Sequence, residues 1–343
     1  MKWIRFHGAV GFAAVMVLLV LAAQVSAETE QPKADVTGDW QVKMNFNEMQ
    51  MEAILSLSKD AEDKLVGKWI SGWGVSDLKD VKYEENKLSF VQVNRFRGTE
   101  STSNFAGTIK DDKLSGIFSG ERGEFTAEGT RIKPMQAAVG NWEIITKKDK
   151  QEKTATLTVR ADKDGKLTAE WRSPQGKSEI TDVNFIKDKL TFTRKATVEG
   201  KQKESNYDLT IKGNALWGTV KTHQGETKKV EGKLLGTELI GKWELTITSE
   251  RGDRMQMLQV NPDLSGLYGA TAVEKINLEG DQVSFKFVMR FRERTTEAEF
   301  KGKLEGGKLA GEITGFGDTA RKVTGKKLVP TPVVKKDESK TGK

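Results

Sequence analysis

Apolar and polar residues alternate along this chain in short runs with a period of two. The first such set reads Trp40-Val42-Met44-Phe46, Ala53-Leu55-Leu57, Leu65-Gly67-Trp69, Val81-Tyr83, Leu88-Phe90, Phe105-Gly107-Ile109, Leu114-Gly116-Phe118 and Phe125-Ala127-Gly129. Clusters of Gly, Asp, Asn and Lys punctuate these runs every eight to twelve residues, which is the mark of strands and turns in an all-β sandwich or barrel. Eight strands fit the stretch. Asp164-Gly165 suits a tight hairpin, and Lys110-Asp111-Asp112-Lys113 and Lys212-Gly213-Asn214 join matching strands in different parts of the chain.

The pattern occurs three times. Gly38-Asp39-Trp40, Gly140-Asn141-Trp142 and Gly241-Lys242-Trp243 open the copies, with the tryptophans 102 and 101 positions apart. A period this long means tandem domains, since solenoid units run to about 20–50 residues. The register persists: Phe90, Phe192 and Phe285 correspond, as do Phe105, Tyr207 and Phe300, and Gly116, Gly218 and Gly311. In the fourth strand Leu78 and Val81, Ile180 and Val183, and Val273 and Ile276 are spaced by three, which breaks the alternation and predicts a β-bulge that keeps both residues inward. Eight sequential antiparallel strands with a bend device favour closure, because closure removes exposed edges. The predicted fold class is all-β, three tandem small eight-stranded antiparallel up-and-down β-barrels after an N-terminal signal peptide. The expected boundaries are a signal peptide at 1–27, a linker at 28–37, barrels at 38–133, 140–235 and 241–329, and a disordered basic tail at 330–343.

Lys2 and Arg5 precede an apolar run from Val10 to Ala23, and Val25-Ser26-Ala27 supplies a small-residue cleavage pattern, as expected of a secretory signal cut after Ala27. No other stretch approaches membrane-spanning length, so the mature chain is expected to carry no membrane span and to reside in the periplasm or outside the cell. The chain has no cysteine, so each barrel must be held by core burial. Losing Lys2 and Arg5 lowers the net charge from +7 to +5. Lysines and glutamates are interspersed, unlike the clustered basic face that binds nucleic acid, so no nucleic-acid partner is expected.

Gly-x-Trp on the first strand, an apolar second strand and Leu-x-Gly-x-aromatic on the third resemble the calycin superfamily: lipocalins and, more closely, the avidin and streptavidin family. The residues are Gly38, Trp40, Leu65, Gly67 and Trp69; Gly140, Trp142, Leu167, Ala169 and Trp171; and Gly241, Trp243, Leu264, Gly266 and Tyr268. The resemblance implies that Trp40, Trp142 and Trp243 are structural plugs at the closed barrel ends. Arg131 would then pack over the first plug, with Leu234 and Lys327 at the matching positions. It also implies that Trp69 with Ser71, Trp171 with Ser173, and Tyr268 face a ligand space, although core packing of these rings is the competing expectation. A longer third-to-fourth-strand connection in the first two copies would act as a lid, with Trp73 tucked on the mouth or meeting a partner.

Further candidates come from the fifth strand, where Gln92, Asn94 and Arg194 interrupt an inward apolar row that is uninterrupted in the third copy. Buried polar groups need partners, so these imply water or ligand near the open end, or a strand that has already left the barrel. Arg95-Phe96-Arg97 and Arg290-Phe291-Arg292 could form paired basic patches, or a solvated edge. His223 is the sole histidine left after signal removal; with no cysteine, zinc sets and histidine-based nucleophile arrangements lack their residues. Asp162-x-Asp164-Gly165 faintly resembles a calcium loop, but Ser173 stands where its last glutamate is needed. No enzyme, metal or cofactor is expected. Two functions remain open. One is an exported non-catalytic protein binding a small hydrophobic or amphipathic molecule, or a partner, at the open barrel ends. The other is a structural or interaction module of filled barrels engaging a cell-envelope component or a protein.

Overall fold

The computed structural model describes residues 35–328 apart from 47, 48, 97, 98, 122, 149, 150, 199, 251, 292, 293 and 318. The expected signal peptide and the basic tail lie outside the described residues. The first barrel contains β1 (Gly38–Phe46), β2 (Met49–Lys59), β3 (Leu65–Ser71) and β4 (Gly74–Glu84). It continues with β5 (Lys87–Phe96), β6 (Thr99–Lys110), β7 (Lys113–Gly120) and β8 (Gly123–Arg131). Each pairs antiparallel with the next, and β8 returns to β1, so the sheet closes.

The second barrel repeats this order with β9 (Gly140–Lys148), β10 (Gln151–Ala161), β11 (Leu167–Ser173) and β12 (Gly176–Ile186). Then follow β13 (Lys189–Val198), β14 (Lys201–Lys212), β15 (Ala215–Thr222) and β16 (Thr227–Leu234), which closes on β9. The third comprises β17 (Gly241–Thr248), β18 (Arg254–Val260), β19 (Gly266–Tyr268) and β20 (Thr271–Val273). It ends with β21 (Ile276–Glu279), β22 (Gln282–Phe291), β23 (Arg294–Glu305), β24 (Lys308–Thr314) and β25 (Arg321–Lys327). Its fourth strand is broken at Glu274 and Lys275, so β20 and β21 form the two ends of a sheet that is nearly, and not fully, closed.

Local chemistry explains the pairing. Two-residue turns at Glu85-Asn86, Asp111-Asp112 and Lys187-Asp188 have both residues at φ between 48° and 65°, the left-handed geometry whose twist matches that of the flanking strands. The expected bulge is present in the first two barrels. Register shifts between Lys79 and Lys82 and between Thr181 and Asn184, around Asp80 and Asp182 at φ 53° and 56°. Leu78 and Val81 both reach the core as a result. In the third copy the break at Glu274-Lys275 replaces the bulge, and Val273 and Ile276 are still buried.

The three barrels belong to one compact unit, and the first and third dock on each other. Ile54 and Ile70 of the first form a small apolar cluster with Met257 and Ala270 of the third, flanked by Ile132 and Leu328. Asp39 and Lys242 form an ion pair of 2.6 Å across the same seam. Ile54 and Met257 both lie opposite the residue after the plug tryptophan, and Ile132 and Leu328 donate their N–H to Asp39 and Lys242. Matching positions thus meet one another, as in a two-fold interface. In the second barrel the same places hold Thr156 and Arg172, which are polar. That barrel touches the third differently, through the Asn141 N–H donating to Pro262 O at 3.1 Å and an Arg160–Asp263 contact of 3.8 Å.

Candidate functional site

The closed ends are built alike. Trp40, Trp142 and Trp243 are fully buried, and each indole N–H donates four residues back, to Val36 O, Ala138 O and Leu239 O at 3.2, 3.0 and 2.7 Å. The Arg131 guanidinium lies 4.4 Å over the Trp40 ring and also bonds Thr37 O and Asp112. Lys327 lies 5.8 Å over Trp243, and Leu234 is paired with Trp142. The glycine two residues before each tryptophan has positive φ, and a Cβ there would meet the capping Arg131, Leu234 or Lys327 within 3.4 Å. Crowding by the cap thus accounts for Gly-x-Trp.

Above the plugs, aromatic rings fill the interiors. Phe90 stacks on Phe105 at 4.7 Å and Trp69 meets Phe118 edge-on at 5.2 Å. Phe192 stacks on Tyr207 at 4.5 Å beside Trp171 at 5.3 Å. In the third barrel Tyr268 stacks on Phe287 at 4.1 Å and Phe285 on Phe300 at 5.0 Å. Each of these side chains is at most 5% exposed. A solvent-open depression of about 340 Å³ lies on the outside at the β6–β7 turn, lined by Lys110, Asp111 and Lys113.

At the mouths the three barrels diverge. Ser71 and Ser173 use their hydroxyls locally: Ser71 Oγ accepts the Trp73 N–H at 3.2 Å, and Ser173 Oγ donates to Gly176 O at 3.2 Å. The longer third-to-fourth-strand connections are longer strands, not lids. Ser71 pairs with Gly74 and Ser173 with Gly176, leaving two-residue turns at Gly72-Trp73 and Pro174-Gln175. Tyr268 and Thr271 close an equally short turn, so the third copy lost strand length. Trp73, at the tip, is 55% exposed.

This hairpin tip sits against the third barrel. Gln256, 0% exposed, donates to Ser71 O at 2.9 Å, and added Cβ atoms at Gly72 and Gly74 would lie 3.1 Å from Met289 and 2.9 Å from Met255 O. Gln92 is 8% exposed and donates to Asn94 Oδ1 at 3.0 Å. Its strand stays in register with β6 through Phe96, so it has not left the barrel. The side chains of Arg95, Phe96, Arg97, Phe291 and Arg292 lie outside the described residues, and Arg290 is exposed.

Arg194 donates to Ser178 Oγ at 3.0 Å and lies 4.8 Å over Trp171. Three buried polar atoms have no hydrogen-bond partner among the described residues: Trp171 Nε1, Thr222 Oγ1 and Tyr268 Oη. Each such group costs about 1–3 kcal/mol. Burial pushes the Tyr268 hydroxyl up to about 12, against the opposing pull of Arg254 and Arg321. Burial likewise raises Tyr207, opposed by Arg194. The Asp162 carboxylate accepts the N–H groups of Asp164 and Lys166 at 2.9 Å, the bonding of a turn.

Sequence reasoning missed Thr222, Gln256, and the Asp39–Lys242 pair. The last had a signal: opposite charges at matching positions of two copies. Thr222 had a weaker one, a hydroxyl where the other copies carry Gly120 and Gly315.

No family model matches the chain, and no curated protein matches it. Among solved structures it is similar to a putative outer membrane protein of Bacteroides fragilis, at 9% identity and a TM-score of 0.23, covering 85% of this chain and 98% of that one. It is also similar to a point mutant of transferrin binding protein B from Haemophilus parasuis, at 11% identity and a TM-score of 0.20, covering 84% and 74%. A DUF3598 family protein from Nostoc punctiforme gives 10% identity and a TM-score of 0.21, covering 85% and 96%. Likeness at this level carries nothing about ligand or partner.

Proposed function

We propose that this chain is an exported, non-catalytic binding protein. In this reading its three calycin-like barrels have filled interiors and meet a cell-envelope component or a protein partner through their mouths and outer faces. The observation that carries it is the continuous aromatic packing above each plug, which leaves side chains where a small apolar ligand would have to sit. An eight-stranded barrel holds either packed side chains or one small ligand, and here the rings occupy the space. The docked first and third barrels add a rigid platform. Export rests on the N-terminal apolar run and its cleavage pattern.

The test is titration of the native mature protein with N-phenyl-1-naphthylamine, a neutral apolar probe. No saturable fluorescence rise is expected below the onset of unfolding. Stoichiometric binding to the native state would return the function to small apolar ligands.

A further inference from the structure

The mouth of the second barrel carries a set of donors that the other two lack. Trp171, Ser178, Arg194, Ser205 and Thr222 come from five adjacent strands near the mouth, linked by the cross-strand pairs Trp171–Ser178, Arg194–Ser205 and Ser205–Thr222 and by the Arg194–Ser178 hydrogen bond. The matching positions are Trp69, Ser76, Gln92, Ser103 and Gly120 in the first barrel. In the third, Tyr268 and Thr271 precede Phe287 and Ala298, followed by Gly315. The first barrel replaces the cation by Gln92, which is satisfied by Asn94. The third replaces it by Phe287, which stacks on Tyr268.

In the second barrel Arg194 is half-buried, its Nε is held by Ser178, and among the described residues it has no carboxylate partner. Trp171 is 4% exposed, yet among the described residues its Nε1 has no hydrogen-bond partner, and neither has Thr222 Oγ1. The nearby rim cation Lys228 is already paired with Glu226 at 3.0 Å, and Lys203, half-buried on the same inward row as Ser205, adds a second positive charge beside Arg194.

An indole N–H and a guanidinium can only donate. Whatever satisfies them must accept, and a half-buried cation without a counter-ion favours an acceptor that is negative. We propose that the second barrel's mouth binds the oxyanion end of a small molecule, with Arg194, Trp171 Nε1 and Thr222 Oγ1 donating to it. Because Phe192 and Tyr207 fill the barrel below, the remainder of that molecule points outward. This site is additional to the partner-binding reading and does not depend on it.

The test uses ¹⁵N-labelled full-length mature protein and follows the tryptophan indole resonances, with Trp171→Phe identifying the relevant one. Sodium acetate, octanoate, sulfate and phosphate are titrated separately against chloride at matched ionic strength. The Trp171 indole resonance is expected to move saturably with at least one oxyanion and not with chloride. Acetate and octanoate binding alike would point to a carboxylate whose tail stays in solvent, whereas preference for sulfate or phosphate would point to an esterified headgroup or the free anion. Arg194→Gln should weaken binding about tenfold or more and Thr222→Val about threefold or more, as expected for charged and neutral hydrogen bonds.

A resonance that moves equally in chloride, or not at all, would mean ordered water satisfies these donors and would overturn the proposal. So would an affinity unchanged in Arg194→Gln. Should that variant lose the barrel's dispersed spectrum, the near-isosteric Thr222→Val decides, and unchanged affinity there overturns the proposal equally.

Discussion

Arg131 shows how one side chain can serve two purposes at a barrel's closed end. It covers the Trp40 ring and ties Thr37, just before β1, to the last strand of the barrel. The second barrel puts Leu234 in that place, so Arg131→Leu should be tolerated sterically while losing the cation–π contact and the hydrogen bonds. The expected loss is about 1–2 kcal/mol, read from denaturant unfolding of the first barrel. Tyr268 makes a prediction about pH. Its hydroxyl titrates near 12 when folded against about 10 unfolded, so its contribution is full below pH 10 and is lost as pH rises toward 12. Linkage over two units amounts to about 2–3 kcal/mol. Tyr268→Phe should flatten this part of the alkaline stability profile and, by removing a buried hydroxyl with no well-formed hydrogen bond among the described residues, leave neutral-pH stability unchanged or higher. A wild-type-like alkaline decline in that variant would place the loss elsewhere.

Among the strands, the outward faces decide which barrels pair. Ile54 and Ile70 on β2 and β3 bury against Met257 and Ala270, while the second barrel carries Thr156 and Arg172 at the corresponding places. Transplanting those residues, Ile54→Thr with Ile70→Arg, should separate the first and third barrels without unfolding either. Each lost apolar contact is worth about 1.5–3 kcal/mol. The measurement is hydrogen exchange at Met257 and Gly269, whose amides should become faster, with far-UV circular dichroism unchanged. The Asp39–Lys242 pair crosses the same seam, and Asp39 also accepts the Ser56 hydroxyl at 2.6 Å. Asp39→Asn copies the second barrel, where Asn141 accepts from Thr158 at 2.6 Å, so it should keep the local bond and lose the ion pair. Partial exposure limits the effect to about 1 kcal/mol or less, diminishing with added salt.

At the scale of the whole molecule, the chain is three versions of one barrel plan that share plug, turns and aromatic column and differ at their mouths and outer faces. The first and third share an apolar seam, and the second keeps a polar mouth and a polar flank. A fragment of residues 36–133 should fold, because its plug, cap and aromatic column lie within it, but it uncovers Ile54, Ile70 and Ile132. Cooperative unfolding together with concentration-dependent self-association in sedimentation is therefore expected. The Ile54→Thr, Ile70→Arg fragment should remain monomeric. Self-association that persists in that variant would show that another surface is responsible. Starting at 36 matters, since the Trp40 indole donates to Val36 O.

The sequence by itself determined the three-fold repetition and the strands and closed order of the first two barrels, because period-two burial and turn residues are local properties that survive in a linear reading, whereas the break at Glu274-Lys275 that leaves the third sheet only nearly closed was not legible in it. Gly38 before Trp40 and the three-residue step from Leu78 to Val81 were legible for the same reason: each records a constraint between near neighbours or fixed register partners. Tertiary structure alone decided how the copies combine. Ile54 facing outward looks like any half-buried strand residue until Met257, some two hundred positions away, is placed against it. Likewise Ser71 reads as a cavity hydroxyl until the tight turn at Gly72-Trp73 claims it, and Thr222 reads as an ordinary strand end until folding buries its hydroxyl without a partner. Burial and hydrogen-bond satisfaction belong to the assembled barrels, and no spacing along the chain encodes them.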